Sequence, residues 1–215
     1  MEPSALIFDF DYPLADSSNG VVACFNHAFR AQGHPQAEQN AIRDTIGLSF
    51  EFAFVELFGK DHSIDLERFK HDFLEHSDDV MIANTQILPD VPETISILAD
   101  RGYRMGIVST KHRPPIVSVL EREGIRPCFD IIVGGGEVKT HKPDPEGLLR
   151  TICEFKTQPD RVLYVGDSVT DAQTAKNANA PFAAVLTGPT PEANLRPFGP
   201  QHVLNEFSQL LDLLP

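Results

Sequence analysis

The sequence predicts an α/β fold, a doubly wound parallel sheet that carries an inserted helical cap. Three observations lead to this prediction. Short, unbroken apolar runs recur along the chain, segments with helical spacing separate them, and one long stretch near the N-terminus has helical spacing alone. Strand and helix in repeated alternation indicate right-handed crossovers and a parallel sheet.

Each predicted strand is a run of three to five apolar residues without polar alternation. That pattern is typical of a strand covered on both faces, as in a parallel sheet. The runs cover residues 5–8, 105–108, 131–133, 162–165 and 182–186. Three consecutive glycines, 134–136, follow the third run and predict a chain turn at the strand end.

Helices are predicted where apolar residues recur at helical spacing and a breaker follows. The stripes are Val91, Ile95, Leu98 and Ala99 before Gly102; Ile116, Val119 and Leu120 before Gly124; Ala172, Ala175 and Ala178 before Pro181; and Phe207, Leu210, Leu211 and Leu214. The proline-rich segment 188–200 is predicted to be a surface loop before this last helix.

The strand signal disappears in the segment that follows the first strand. Helical stripes there include Val21 with Phe25, and Phe69 with Phe73, and the segment holds more than half of the fifteen phenylalanines. We expect a helical cap domain over residues 16–85, with its own core, inserted into a core domain over 1–15 and 86–215. Because open α/β sheets bind ligands at the carboxyl edge of their strands, the cap should cover that site.

Composition limits the classes of partner. The net charge of −13 argues against nucleic acid, whose phosphates are bound by basic surfaces. No apolar run approaches the roughly 20 residues of a membrane span, and no signal peptide is evident. The three cysteines form no C-x-x-C pair. We therefore expect reduced thiols, a cytoplasmic location, no membrane partner, and a monomer or homodimer.

Two carboxylates two residues apart, Asp9 and Asp11, follow the first predicted strand. In an extended chain they would point the same way, and Mg²⁺ suits such an oxygen pair. A solvated turn is the alternative interpretation of this segment alone.

Three further polar segments follow predicted strands. Ser109 and Thr110 could hold an oxyanion or simply cap a helix. Lys142 precedes Pro-Asp-Pro and could be held by that stiff loop or lie on the surface. Asp167 and Asp171 stand four apart at a helix start, where capping explains one of them more easily than both.

Together these motifs resemble the haloacid dehalogenase superfamily, in particular its phosphoglycolate phosphatase-like branch with a helical cap after the first motif. The resemblance spans the chain and implies a Rossmann-like core and a Mg²⁺-dependent phosphohydrolase. Carried over by position, it implies that Asp9 is the nucleophile and Asp11 the general acid and base. It also implies that Ser109, Thr110 and Lys142 bind the phosphoryl group. Mg²⁺ would be held by Asp9, the carbonyl of Asp11 and Asp167, with Asp171 behind them or acting through water.

The chain departs from the family's D-x-D-G-T opening, because Tyr12 replaces the glycine and Pro13 the threonine. Proline lacks the hydroxyl expected to orient the general acid, which puts the rate in doubt. Tyr12 could shield the site or offer its ring to the substrate.

Substrate contacts are expected from Arg43 in the cap and from Lys111, His112 and Arg113 after the second motif. Each of these could instead be a paired or solvated surface residue. The resemblance favours hydrolysis of a small phosphorylated metabolite, such as phosphoglycolate or a sugar phosphate. A phosphomutase of the β-phosphoglucomutase type and a binding protein without turnover are the alternatives.

Overall fold

A computed structural model describes residues 3–59, 65–75 and 77–214. Its central sheet has six parallel strands in the order β5-β4-β1-β6-β7-β8, and a two-stranded antiparallel pair joins β2 to β3. The strands are Ala5–Phe8 (β1), Ala15–Asp16 (β2), Gln86–Ile87 (β3), Arg104–Val108 (β4), Ile131–Val133 (β5), Val162–Gly166 (β6), Phe182–Val185 (β7) and His202–Leu204 (β8).

Helices cover both faces of the sheet and form the segment between β2 and β3. They are Ser18–Ala31 (α1), Gln39–Arg43 (α2), Phe50–Phe58 (α3), Leu66–Leu74 (α4), Ser77–Asn84 (α5), Val91–Asp100 (α6), Arg113–Arg122 (α7), Glu146–Glu154 (α8), Val169–Ala178 (α9), Glu192–Leu195 (α10) and Leu210–Leu213 (α11). The predicted α/β fold class is confirmed.

Strand β1 lies at the centre of the sheet and is buried on both sides, as its unbroken apolar run predicts. Leu6 and Phe8 belong to the core beneath α6 and α7, whereas Ala5 and Ile7 belong to the core beneath α8 and α9. This alternation follows from the two-residue period of a strand. The central position brings the residues after β1 to the middle of the carboxyl edge.

The helices between β2 and β3 pack around phenylalanine rings that form a separate core. Phe69 is fully buried, and Phe25, Phe29, Phe54 and Phe58 contact it or one another. Two of these helices begin at side-chain caps, because Ser49 accepts a hydrogen bond from the Phe52 amide and Asp65 accepts from two amides of α4. We call residues 17–85 the cap.

The two connections between cap and sheet pair with each other. Ala15 lies opposite Ile87 and Asp16 opposite Gln86, in antiparallel register. The cap therefore starts and ends at one point beside β1, next to the carboxyl edge. The cap boundaries at 16 and 85 stay a prediction from the sequence.

Some elements were not predicted. Helix α8 and strand β8 have no counterpart in the predicted set, and the segment 188–200 is not only a loop, since it contains α10. Strand β8 is a three-residue edge strand that includes a histidine, so it gives little apolar signal. None of the three cysteines is in a disulfide. Among the described residues, no helix has the length and apolar character that a membrane span requires.

Candidate active site

The four polar segments predicted from the sequence meet at the carboxyl edge of the sheet. Asp9 follows β1, Ser109 follows β4 and Asp167 follows β6, so neighbouring parallel strands deliver them to one place. All three side chains are buried, as is Lys142. Buried charges are costly without partners, so the contacts among them decide what the site can do.

Lys142 lies between two carboxylates. Its ammonium is 2.9 Å from Oδ2 of Asp9 and 2.6 Å from Oδ1 of Asp171. Burial alone would lower the pKa of Lys142, but the charges of Asp171 and Asp9 outweigh burial and raise the pKa above its usual value. Lys142 therefore stays protonated, with its charge directed at Asp9.

The Asp9 carboxylate is fixed at both oxygens. Its Oδ1 accepts a hydrogen bond of 2.7 Å from the amide of Phe10, and its Oδ2 faces Lys142. Burial raises the pKa of Asp9 from 3.8 to about 7, against the opposing charge of Lys142. Burial likewise raises the pKa of Asp167 well above its usual value, and the charges of Asp171 and Asp9 add to this.

This cluster of acids fits a divalent cation. One oxygen from each of Asp9, Asp167 and Asp171 lies within 4.8 Å of the others, among buried side chains. Oxygen donors of this charge are those that Mg²⁺ prefers, and a cation would relieve the repulsion that raises the pKa values. Asp171 is the most fully engaged of the three, because its oxygens accept from Lys142, Tyr164 and Ser168, whereas those of Asp9 meet only Phe10 and Lys142 among the described residues.

Asp171 binds three neighbours through these oxygens. Its Oδ1 accepts from Lys142 at 2.6 Å and from the hydroxyl of Tyr164 at 2.9 Å, and its Oδ2 accepts from the hydroxyl of Ser168 at 2.6 Å. Ser168 in turn caps helix α9 by accepting from the Asp171 amide. Asp171 therefore anchors Lys142 to the start of α9.

Asp167 lies against the backbone of the segment after β7. A Cβ atom added to Gly188 would overlap the Asp167 carboxylate. Only glycine allows the chain to pass this close to the acid cluster. The sequence predicts Gly188 only as the start of a surface loop and gives no sign of this contact.

Asp11 is held by a hydroxyl and an ammonium. The hydroxyl of Ser17 donates to its Oδ1 at 2.6 Å, and the ammonium of Lys111 lies 3.3 Å from its Oδ2. Lys111 also donates to the Ser17 hydroxyl, at 3.1 Å, which closes the triangle. We call Asp11, Ser17 and Lys111 the Asp11 triangle.

The chain at Tyr12 takes the conformation for which the family pattern uses glycine. Tyr12 has φ of +74°, in the left-handed region that residues with a Cβ rarely adopt. Its backbone is held on both sides, since its amide donates to the Ala15 carbonyl and its carbonyl accepts from the Thr187 hydroxyl. The ring is half-buried, and burial raises the pKa of its hydroxyl.

A cavity of about 140 Å³ lies between the cap and the sheet edge, with Asp11 in its wall. Of the predicted substrate residues, Lys111 and His112 line it, as does Thr110. Arg43 and Arg113 do not belong to the described lining. Arg43 donates to Asn19, although its Nε is buried without a partner in the described part of the chain, and Arg113 pairs with Glu137.

The cap contacts the loop after β4 directly. The Thr110 hydroxyl donates to the Gly47 carbonyl at 3.4 Å, and the Lys111 ammonium lies 3.8 Å from the Met81 sulfur. On the other side of this loop, a Cβ on Gly135 would overlap the Thr110 carbonyl, so the predicted glycine turn is also a point of close packing. Thr110 and Lys111 are thus enclosed between cap and sheet.

Three residues of the site were missed from the sequence: Ser17, Tyr164 and Ser168. Tyr164 gave one usable signal, because a buried tyrosine in an aliphatic strand needs a partner for its hydroxyl. Ser168 lies between Asp167 and Asp171 at an ordinary capping position. Ser17 gave no signal that separates it from any other serine before a helix.

Comparison with known proteins agrees with this geometry. The family model of haloacid dehalogenase-like hydrolases matches residues 6–185. A phosphoglycolate phosphatase from Photorhabdus laumondii is 28% identical over 98% of this chain and 92% of its own length. An N-acetylmuramic acid 6-phosphate phosphatase from Pseudomonas aeruginosa is 26% identical over 100% of this chain and 96% of its own.

Solved structures show the same fold. A haloacid dehalogenase-like hydrolase from Bacteroides fragilis superposes with a TM-score of 0.92 at 39% identity, over 97% of this chain and 100% of that one. A predicted phosphoglycolate phosphatase from Haemophilus somnus, at 22% identity, superposes with a TM-score of 0.88 over 99% of this chain and 98% of its own. The family resemblance expected from the sequence motifs is confirmed: this chain belongs to the haloacid dehalogenase-like hydrolase family.

Proposed function

We propose that this chain is a Mg²⁺-dependent phosphatase that hydrolyses a small phosphate monoester through an aspartyl phosphate on Asp9. The observation that carries the proposal is the position of Asp9. Its carboxylate is buried, fixed by Phe10 and Lys142, and adjacent to a cluster of acids suited to a cation. The phosphatase names of relatives that span nearly the whole chain support the same reaction class.

The first step is attack of an Asp9 carboxylate oxygen on phosphorus, which displaces the alcohol. Lys142, with Ser109 and the Thr110 amide, would bind the phosphoryl oxygens and stabilise the charge that develops on them. Asp9, Asp167 and the Asp11 carbonyl would hold Mg²⁺, which would supply the positive charge that lets an anionic carboxylate approach an anionic phosphate. Asp171 keeps Lys142 in position.

Asp11 would serve as the general acid and then the general base. It donates a proton to the leaving alkoxide and takes one from the water that hydrolyses the aspartyl phosphate. Ser17 and Lys111 fix both of its oxygens, so the carboxylate does not rotate freely. Because these two contacts hold Asp11 in place, the change to Tyr12-Pro13 need not abolish turnover. The cavity beside Asp11 would receive the alcohol part of the ester.

A phosphomutase would need the same residues and, in addition, polar cap groups that grip sugar hydroxyls. The cap side of the cavity includes Phe25, Phe50, Phe73 and Met81. This lining favours the hydrolase over the mutase.

The proposal is tested by phosphate release from a panel of small phosphate esters, with and without Mg²⁺. We expect Mg²⁺-dependent release by the wild type and none by Asp9→Asn. Asp160→Asn is the matched control, since it removes one carboxylate charge from an exposed position. Phosphate release that persists in Asp9→Asn, or that does not depend on Mg²⁺, would contradict the mechanism. No phosphate release from any ester would contradict the phosphatase function itself.

A further inference from the structure

We infer that the alcohol part of the substrate is uncharged and largely apolar, about the size of one six-membered ring. This inference rests on the proposed phosphatase function and names the substrate class of the same site. It is narrower than the phosphoglycolate or sugar phosphate expected from the sequence. Four observations on the cavity beside Asp11 carry it: position, size, wall and charge.

The position of the cavity beside Asp11 indicates that it binds the alcohol part of the substrate. Asp11, the proposed general acid, lines it, whereas Asp9 and Lys142 do not belong to its described lining. A general acid must lie within hydrogen-bond reach of the leaving oxygen. The carbon group attached to that oxygen would therefore extend from Asp11 into this cavity, while the phosphoryl group stays with Asp9 and Lys142.

The size of the cavity indicates the size of that group. The volume of the cavity is about 140 Å³. An apolar protein cavity of about 150 Å³ accommodates benzene, so the space here suits one ring or a short branched chain.

The cap side of the cavity is an aromatic wall. Phe25, Phe50 and Phe73 all line it and pack on one another, with ring centroids 6.0 Å apart for Phe25–Phe50, 5.0 Å for Phe25–Phe73 and 5.1 Å for Phe50–Phe73. Met81 and Leu74 extend the same surface. An apolar group gains free energy by leaving water for such a wall, and aromatic rings add favourable contact geometry.

Most polar side chains in the described lining are engaged with protein partners, with Nδ1 of His141 as a buried exception. Lys70 pairs with Glu51 at 2.6 Å, and Lys111 pairs with Asp11 and donates to Ser17. The Thr45 hydroxyl donates to the Ile42 carbonyl, and the Ser77 hydroxyl donates to the Leu74 carbonyl. A polyhydroxylated alcohol would lose its hydrogen bonds to water and find few replacements here.

Charge disfavours an anionic alcohol part. The described lining contains three carboxylates, those of Asp11, Glu51 and Asp78. Its two lysines, Lys70 and Lys111, are each paired with a carboxylate, and its other basic side chains are His112 and His141. A second negative charge on the substrate would have to break a lysine pair, lie near Asp78 or rely on the histidines alone.

The test compares three phosphate esters of primary alcohols, so that leaving-group chemistry is similar. Benzyl phosphate carries an apolar ring, glycerol 3-phosphate carries hydroxyls, and phosphoglycolate carries a carboxylate. We expect kcat/KM for benzyl phosphate to exceed the other two values by about tenfold or more, the factor expected from burial of a phenyl group. Equal or higher kcat/KM for glycerol 3-phosphate or phosphoglycolate would overturn the inference and leave the phosphatase function intact.

Substitutions in the aromatic wall test whether the preference for benzyl phosphate arises there. Phe50→Ala should lower the ratio of kcat/KM for benzyl phosphate to that for ethyl phosphate by about fivefold or more. Phe52→Ala is the matched control, because Phe52 lies on the same helix, is 60% exposed and is not in the lining. Leu74→Asn changes a wall residue that is 36% exposed and should lower the ratio without unfolding the cap. An unchanged ratio in both wall variants would contradict the assignment of the wall.

A binding measurement separates this inference from the proposed function. Calorimetry with 2-phenylethylphosphonate, which cannot be hydrolysed and has the shape of benzyl phosphate, is compared with propylphosphonate in the presence of Mg²⁺. Tighter binding of the aromatic phosphonate, lost in Phe50→Ala and kept in Phe52→Ala, supports the apolar site even if no ester is hydrolysed. Equal affinity for the two phosphonates would overturn it.

Discussion

The hydroxyl of Ser17 donates a hydrogen bond of 2.6 Å to Oδ1 of Asp11, from six residues further along the chain. The β2–β3 pairing returns the chain to the sheet edge and places Ser17 just before α1. Pro13 has no hydroxyl to offer Asp11, and the hydroxyl that reaches Asp11 in this structure is that of Ser17.

Replacing Ser17 with alanine should lower kcat by about ten- to hundredfold with little change in KM. The variant removes a hydrogen bond to a carboxylate, worth about 1.5–3 kcal/mol, from a group that acts in the transition state. Steady-state kinetics with the best ester of the panel measures both constants.

Two controls accompany the Ser17 variant. Ser17→Thr keeps the hydroxyl and should restore most of kcat. Ser18→Ala changes the neighbouring serine, whose backbone amide bonds to Asp16, and should leave kcat near the wild-type value. A rise in KM with unchanged kcat in Ser17→Ala would mean that Ser17 affects binding and not the position of Asp11.

Replacing Tyr164 with phenylalanine should lower the free energy of unfolding by about 1–2 kcal/mol, because Asp171 and Lys142 lose a buried hydrogen-bond partner. We also expect a several-fold lower kcat, since Asp171 anchors Lys142. Urea denaturation measures the stability change. Tyr12→Phe removes the same atom from a half-buried ring and should cost less, and equal losses in the two variants would argue against a special role for Tyr164.

Stability without metal should depend on pH through Asp9. The pKa of Asp9 is about 7 in the folded chain and 3.8 ordinarily. Between pH 3.8 and pH 7 the folded chain therefore holds a proton on Asp9 that the unfolded chain has released. Stability conferred by that proton is present at low pH and is lost as pH rises through about 4 to 7.

The side chain of Asn does not titrate, so the pH dependence contributed by Asp9 is measured by comparing Asp9→Asn with the wild type. In the presence of a chelator, the melting temperature of Asp9→Asn minus that of the wild type should increase between pH 4 and pH 8. Because the charge of Asp9 also raises the pKa of Asp167, the difference reports the Asp9 charge together with its effect on Asp167. A difference that is constant over this range would contradict a raised pKa for Asp9.

Replacing Asp167 with asparagine should raise the Mg²⁺ concentration for half-maximal activity by about tenfold or more, since it removes one charged ligand from the proposed set. Asp160→Asn removes the same charge at the opposite end of β6 and should leave the Mg²⁺ dependence unchanged. An unaltered Mg²⁺ requirement in Asp167→Asn would exclude Asp167 as a ligand.

The fold and the backbone positions of the site could be predicted because they depend on local patterns. Residues 5–8 and 162–165 are unbroken apolar runs, and a parallel sheet brings their following residues, Asp9 and Asp167, to one edge. The phenylalanine-rich stripes of the cap likewise mark a second core before any contact is known.

The contacts around these positions could not be predicted, because they depend on packing between distant segments. Lys111 reaches Asp11 only because the loop after β4 is enclosed by the cap, and Gly188 touches Asp167 from another strand end. Arg43 was a reasonable substrate residue from its charge and place in the cap, but its described partner is Asn19. Charge and spacing identify candidate side chains without indicating the direction in which each one points.

Asp9 is proposed to carry the phosphoryl group between the two half-reactions, and this intermediate can be trapped. The wild type and Asp9→Asn are mixed with Mg²⁺ and the best ester of the panel, quenched in acid within the first turnover, and mapped by peptide mass spectrometry. We expect one added phosphoryl group on the wild-type peptide that contains Asp9 and none in the variant. A phosphorylated peptide that lacks Asp9, or turnover by the wild type without any phosphorylated peptide, would contradict this role of Asp9.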